Sequence, residues 1–211
     1  MAGVFITGEG IDCCGKSTQL ELLENKLQDA GIKVAMFREP GGTSMCEEIR
    51  KLLLHKDEAE NIAPWTECLL YTAARAQLVH EKAVPVLEQV DCLLIDRYRD
   101  STEVYQGIAR GLGAEEVILL TEITTGGFMP DLTFYFDIDF KTSRQRKINS
   151  GTKPDRLERQ PDEFHKALIK GYRSLVKKYP ERIVMIDGNQ SIEDVHQSVL
   201  RVVNERFDFN L

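Results

Sequence analysis

The sequence predicts an α/β fold, a five-stranded parallel sheet flanked by helices, from three observations. Five short apolar runs, at 4–7, 33–37, 92–96, 132–137 and 183–187, have the length and β-branched content of buried strands. Stretches of helical spacing separate them, and helical crossovers join parallel neighbours. No repeat or low-complexity tract breaks the alternation. One domain over residues 1–211 is therefore expected, with ligands at the carboxyl ends of the strands.

The first strand leads directly into chemistry. After Val4-Phe5-Ile6-Thr7 comes Gly8-Glu9-Gly10-Ile11-Asp12-Cys13-Cys14-Gly15-Lys16-Ser17-Thr18, in which Gly10 to Ser17 reads G-x-x-x-x-G-K-S. Leu20, Leu23, Leu27 and Ala30 then recur on one helical face. Strand, glycine loop and helix in that order make a phosphate-binding loop, in which backbone N–H groups and a helix N-terminus converge on an anion. The chain is thus read as binding a nucleoside triphosphate, with residues 10–18 as its cradle.

Ala30-Gly31 stops that helix, and the second strand ends in Arg38-Glu39-Pro40-Gly41-Gly42-Thr43. Ser44 with Glu47 forms a capping box for a helix carrying Ile49, Leu52, Leu53 and Leu54. Residues 56–63 read as a polar loop, and Pro64 suits a first helical position. The helix that follows runs towards Gln89, with Pro85 expected to kink or divide it. This two-helix excursion is too long for a simple crossover and suggests a wall for a second substrate.

Cys92 to Asp96 is apolar until its acidic end, and 97–107 follows as a polar, active-looking segment. A helix over 114–124, the strand over 132–137, and a helix from about Thr142 come next. That helix ends in Asn149-Ser150-Gly151-Thr152-Lys153-Pro154, a loop by composition. Helix 163–179, strand 183–187 and a Ser191-capped helix through Glu205 complete the chain.

Composition narrows the function. The chain is 42% hydrophobic and 29% charged, an ordinary globular balance. Its net charge of −7 argues against a nucleic-acid binder, which shows a basic face. No apolar run reaches membrane-spanning length and no signal-peptide pattern opens the chain, so a cytoplasmic location without membrane association is expected. Five cysteines without C-x-x-C spacing, and four scattered histidines, fit a reducing compartment better than a disulfide framework or a zinc site.

Four stretches resemble one family. Arg38-Glu39-Pro40-Gly41-Gly42-Thr43 matches the R-E-P-G-G-T signature of bacterial thymidylate kinases. Asp96 to Gly107 resembles their D-R-x-x-x-S-x-x-A-Y-Q-G stretch, Leu70 to Leu78 their thymine-pocket helix, and Asp155-Arg156-Leu157-Glu158 the D-R-x-E segment after their lid loop. In the family's order, these anchors cover nearly the whole chain.

The resemblance implies a P-loop nucleoside monophosphate kinase that converts ATP and dTMP to ADP and dTDP with Mg²⁺. Its acceptor-binding helices would span about 38–89 and its lid about 144–160. Phosphoryl transfer asks for charge neutralisation and alignment, and the residues suit that. Lys16 supplies charge to the β and γ phosphates, while the Ser17 hydroxyl and Asp96 suit the metal. By resemblance, Arg97 grips the monophosphate with Arg38 nearby, and Glu39 and Arg50 belong to the same acceptor wall. By the same resemblance Tyr71 would lie against the base and Arg75 would meet O4. Because arginine only donates, it would favour thymine or uracil over cytosine. Tyr105 would exclude a ribose hydroxyl, Asp12 would lie near the sugar 3′-OH, and Ser101, Thr102 and Gln106 would complete the wall. Arg144 is the candidate for stacking on adenine. The family also implies a homodimer.

Two departures from the family's pattern stand out. Cys13 and Cys14 occupy positions usually held by small residues, and the loop carries no arginine, so the lid must bring the missing charge. Ser150 stands where relatives commonly have an arginine, which leaves Arg146, Lys147, Lys153 or Arg156 for that role, Arg156 being the candidate catalytic residue. The two thiols, beneath loop N–H groups and near Lys16, are expected to have a lowered pKa and to be oxidisable or alkylatable. Two other readings stay open: a kinase of dUMP or of a broader set of deoxynucleotides, and a nucleotide-binding switch or scaffold. The switch lacks an N-K-x-D motif, and an idle scaffold would be expected to have lost Lys16, Asp96 or Arg97, which are all present.

Overall fold

A computed structural model describes residues 3–54 and 62–211; the polar loop expected over 56–63 lies almost wholly outside them. The strands are β1 (Val4–Glu9), β2 (Val34–Arg38), β3 (Cys92–Asp96), β4 (Leu132–Asp137) and β5 (Ile183–Asp187). They form one sheet in the order β2-β3-β1-β4-β5, with every neighbouring pair parallel. All of β3 is buried, as are five of the six residues of β1. Burial on both faces explains why these strands read as continuous apolar runs rather than alternating ones.

The helices are α1 (Lys16–Asp29), α2 (Ser44–Leu54), α3 (Pro64–Leu78), α4 (Val84–Leu87), α5 (Arg99–Thr102), α6 (Ala114–Thr125), α7 (Phe140–Ser150), α8 (Asp162–Lys178) and α9 (Ile192–Arg206). Helix α1 packs on β1, β2, β3 and α9, burying Leu20, Leu23 and Leu27. Ala30, expected on that face, is exposed because the helix ends at Asp29 and the chain turns away through Gly31 at φ +80°. In α2, Leu53 and Leu54 are buried while Leu52 faces outward, the adjacent positions of a helix being 100° apart.

One local expectation is corrected and two helical stretches are refined. The cap of α2 is Thr43 rather than Ser44: the Cys46 N–H donates to Thr43 Oγ1 at 3.2 Å, and the Glu47 carboxylate turns back to Arg38 and the Gly42 N–H. The helix expected from Pro64 towards Gln89 is divided as expected, into α3 and α4. The chain widens one turn before Pro85 into a π-helical stretch, Val79–Ala83, in which the Val84 N–H reaches Val79 O. That widening falls at the carbonyls a proline ring would strike in a regular α-helix. The polar segment after β3 is helical too, as α5 running into a second π stretch, Glu103–Ala109.

Register decides where the site lies. Gly8 pairs with Asp96 and Asp96 with Arg38, so the ends of β1, β2 and β3 stand level. The chain leaves β1 for strands on either side of it, which is the switch point where open parallel sheets bind ligands.

Candidate active site

The loop after β1 is shaped by its glycines. Gly10 sits at φ +144°, and a Cβ there would lie 2.8 Å from both Cys14 Sγ and Phe136 O. Gly15, at φ +96°, turns the chain into α1, whose first turn carries no acidic residue. The positive end of the helix dipole and its free N–H groups are therefore left uncompensated by the protein. Lys16 projects into the cleft beside them. It is only 8% exposed, yet its ammonium makes no hydrogen bond or ion pair among the described residues. A cation that opens into a cleft beside a helix N-terminus, with no protein partner, marks a place for an anion.

Ser17 donates to Asp96 across the gap between α1 and the end of β3. This pair offers hard oxygen donors at one end of the cleft. No group of three or more His, Cys, Asp or Glu side chains converges to hold a metal among the described residues. The donor set therefore fits an Mg²⁺ that keeps its waters and leans on phosphates, rather than a fully protein-caged ion.

Arg97, the next residue along, adopts φ +67°, which costs a non-glycine residue roughly 1 kcal/mol. In return its guanidinium spans the loop, donating to Gly10 O at 2.8 Å and to Asp12 Oδ1 at 2.6 Å. Burial by itself would raise the Asp12 carboxyl, but Arg97 and Lys16 outweigh it and hold Asp12 below the usual carboxylate range.

The opposite wall comes from the two-helix excursion and the second π stretch. Tyr71 and Arg75 lie one turn apart on α3. Arg75 is 1% exposed; it donates from Nε to Glu39 Oε2 at 2.8 Å, from Nη1 to Thr102 Oγ1 at 2.8 Å and from Nη2 to Tyr98 O at 2.9 Å. Burial pushes the Glu39 carboxyl up despite the Arg75 charge, and Glu39 Oε1 has no hydrogen-bond partner. The Tyr105 hydroxyl is likewise buried and unpartnered. Both residues line the cleft, so two polar atoms await a partner on its wall. Arg38 pairs with Glu47 at 3.0 Å and Arg50 donates to Pro40 O at 2.9 Å, both at the rim.

One cleft of about 220 Å³ thus brings together Asp12, Lys16, Ser17, Arg38, Glu39, Arg50, Tyr71, Arg75, Asp96, Arg97, Ser101, Thr102, Tyr105 and Gln106. The remaining residues of the run 10–18 complete the loop and the start of α1 without lining the cleft. Arg144 and Arg156 are elsewhere. Arg144 is exposed, facing Asp162 at 3.3 Å and standing over the Phe140 ring. Arg156 is buried, donating to Leu53 O at 2.8 Å and paired with Glu67 at 2.5 Å.

Sequence reasoning missed two residues that organise this site, Glu67 and Glu9, and named a third, Arg146, only as one of four lid cations. Glu67 is 1% exposed and gathers Gln106, Arg110 and Arg156; these donors outweigh the effect of burial and lower its pKa. Arg146, two positions from Arg144, donates to Cys13 O, Cys14 O and Gly188 O at 3.3, 3.4 and 2.8 Å, and so lies against the phosphate loop. Glu9, at the end of β1, is fully buried beneath Arg97 and Ser101. Of the two that were missed, only Glu9, an acid closing an apolar strand, carried a signal in the sequence.

The expected thiol activation is corrected. Burial, with the Asp12 charge added, pushes the Cys13 thiol up. Burial likewise pushes up the Cys14 thiol, even though Lys16 is close. Cys14 is inert core, packed under the loop.

Comparison with known proteins gives a consistent picture. The family model described as thymidylate kinase matches residues 9–199. The thymidylate kinase of Caldanaerobacter subterraneus subsp. tengcongensis is 47% identical over 205 residues, covering 97% of each chain. That of Trichormus variabilis is 41% identical over 204 residues, again covering 97% of each. The crystal structure of the Ehrlichia chaffeensis thymidylate kinase superposes with a TM-score of 0.77 at 30% identity, covering 96% of this chain and 99% of that one.

Proposed function

The chain belongs to the thymidylate kinase family, and on that premise we propose how its residues divide the work. It is a phosphotransferase that converts dTMP to dTDP. The phosphoryl donor is ATP, bound with Mg²⁺. The observation that carries the reading is the single cleft with a partnerless Lys16 at one end and Tyr71, Arg75 and Tyr105 at the other.

At the donor end, the backbone of residues 10–18 and the α1 N-terminus hold the triphosphate, and Lys16 neutralises its β and γ oxygens. Ser17 and Asp96 would hold Mg²⁺, which when bound supplies charge compensation to the phosphates. Arg97 turns its guanidinium to the acceptor phosphate, a planar match for two oxygens. Asp12, kept ionised by Arg97 and Lys16, restrains that guanidinium and lies near the sugar 3′-OH.

At the acceptor end, Tyr71 stacks on the base. The arginine has five N–H groups, and Glu39, Thr102 and Tyr98 O occupy most of them. What remains on Nη1 is a donor, which donates to O4 of thymine and meets a like donor at N4 of cytosine. Thr102, accepting from Arg75, keeps a hydroxyl proton for the same edge. Tyr105 closes the space at C2′. Glu39, Arg38, Arg50, Ser101 and Gln106 shape this wall and its rim.

Of the lid cations, Arg146 is bound to loop carbonyls, Lys147 to Glu158 at 2.8 Å and Arg156 to Glu67, whereas Lys153 is exposed and has no partner among the described residues. Lys153 is therefore the charge free to swing over the transferring phosphoryl group, and Arg156 braces the acceptor wall. Arg146 and Arg144 flank the donor base.

The chain works as a single kinase domain in the cytoplasm, as a homodimer. Trp65 and Leu69 on α3, with Leu119 and Ile123 on α6, are 45–70% exposed on two helices that pack together, which supports an apolar interface there. No described helix is long and apolar enough to cross a membrane.

The test is ADP release with Mg-ATP and a panel of dTMP, dUMP, dCMP, dGMP, AMP and UMP. Robust turnover with dTMP and little with dCMP is expected. If dTMP gives no release above the ATP-only blank, the assignment fails; equal turnover of dUMP would move the chain to a broader acceptor class.

A further inference from the structure

Glu9 lies outside the cleft, directly behind Arg97, and every oxygen of its carboxylate is used. Oε1 accepts from the Tyr98 N–H at 2.7 Å and the Ser101 N–H at 3.2 Å. Oε2 accepts from Ser101 Oγ at 2.6 Å and from the Tyr172 hydroxyl, on α8, at 2.9 Å. The same two hydroxyls border the Arg97 guanidinium: Nη1 lies 3.3 Å from Ser101 Oγ and 3.5 Å from the Tyr172 oxygen. Tyr98 is the residue that follows the left-handed Arg97, so its N–H is held just where the strained turn ends.

This arrangement sets the direction of the protons. A carboxylate only accepts, so both hydroxyl protons turn towards Glu9. The lone pairs of Ser101 Oγ and the Tyr172 oxygen are then left facing Arg97, which only donates. A neutral amide in place of the carboxylate would donate to one of the two hydroxyls. That hydroxyl would then turn its own proton on the guanidinium.

We propose that Glu9 is a positioning residue for the acceptor phosphate: through Tyr98, Ser101 and Tyr172 it orders the hydroxyls that hold the Arg97 fork in place. The inference rests on the reading that Arg97 grips the monophosphate, and it links α8, which follows the lid, to that grip. Glu9 itself touches neither substrate.

The experiment measures binding of dTMP and of thymidine, which lacks the phosphate, to the full chain by titration calorimetry, together with the KM of each substrate. Glu9→Gln is expected to weaken dTMP about tenfold, the scale of one charge-assisted hydrogen bond, while leaving thymidine binding and the KM for ATP unchanged. Tyr172→Phe, which keeps the ring stacked on Tyr135, should show the same selectivity to a smaller extent and serves if Glu9→Gln does not fold. In the double variant Glu9→Gln with Arg97→Gln, the loss should be no greater than for Arg97→Gln alone, since the two act through one contact. Equal weakening of dTMP and thymidine, or additivity in the double variant, would overturn the role of Glu9. If Arg97→Gln itself fails to separate dTMP from thymidine, the reading of Arg97 falls instead.

Discussion

The two ends of the cleft are built on opposite principles. The donor end is one continuous run, residues 10–18, whose ligand groups are backbone N–H donors and a lysine with no partner. The acceptor end is assembled from β2, α2, α3, α5 and the second π stretch, and its side chains are already bonded to one another: Glu39 to Arg75, Arg75 to Thr102, Glu67 to Gln106 and Arg156. The difference is one of where charge compensation comes from. Phosphates bring abundant negative charge, so the protein can leave a cation and a helix dipole waiting for them. A base edge brings only partial charges, so an arginine proposed to read one is neutralised and aimed by the protein beforehand.

Lys16→Ala breaks the comparison most directly. Loss of the waiting cation should lower kcat about 10³-fold while leaving dTMP affinity and thermal stability nearly unaltered. If dTMP binding, followed by calorimetry, falls as far as kcat, the two ends are not separate devices.

Arg75→Met should do the reverse. It leaves Glu39 buried without its partner, and denaturant unfolding should show a loss of about 3 kcal/mol along with the loss of dTMP binding. A variant that folds with unchanged stability would mean that the ion pair is not what holds this wall.

Tyr105→Ala opens space at the sugar and should raise use of a ribonucleotide acceptor over its deoxy form by about tenfold. An unchanged ratio of kcat/KM values removes the steric role of that ring.

A pH series sharpens the link between the ends. Burial first, then the Asp100 charge, push Glu9 up to about 7; Arg97, Tyr172 and, from beyond α8, Arg182 also face this pocket. Above that value Glu9 is ionised and orders the hydroxyls; below it the neutral acid behaves like glutamine. The ratio of kcat/KM for dTMP between wild type and Glu9→Gln should therefore fall from about ten at pH 8 towards one at pH 6. The second ionisation of the substrate phosphate, near pH 6, is common to both proteins and cancels in the ratio. A ratio that stays constant with pH would separate positioning from ionisation. In stability the sign is opposite: because the folded pKa lies above the unfolded one, the contribution of Glu9 is full below about 4.5 and is lost as pH rises through 7.

The smallest effect belongs to Cys13→Ser. With its thiol raised by burial rather than activated, the change should alter kcat less than about twofold. Rapid alkylation of the wild-type loop near neutral pH, blocked by ATP, would contradict this.

Legibility in the sequence followed the same division. The phosphate loop, the acid at the end of β3 and the alternation of strands and helices are contiguous patterns, and the structure keeps them with boundary shifts of a few residues. The Ser44 cap moved by one position because Glu47 found a better partner in Arg38. Tyr71, Arg75, Thr102 and Tyr105 were legible only as motifs of a resembling family, since nothing in their local spacing distinguishes a pocket wall from core. Arg144 and Arg146 are equally basic in sequence, and only the rotation of α7 turns the second of them to the loop carbonyls.

By itself the sequence determined which chemistry is possible: a phosphate-binding loop whose function depends on consecutive backbone groups, and apolar strands alternating with helices, which favour a parallel sheet. Tertiary structure alone decided which side chains are committed and which remain available. Arg156 became a brace on Glu67, Lys16 stayed unpaired, and Glu9 came to lie behind Arg97. The physical reason is distance along the chain. A helix dipole and a run of amides arise from neighbours, whereas a buried charge takes its role from partners 23 to 163 residues away.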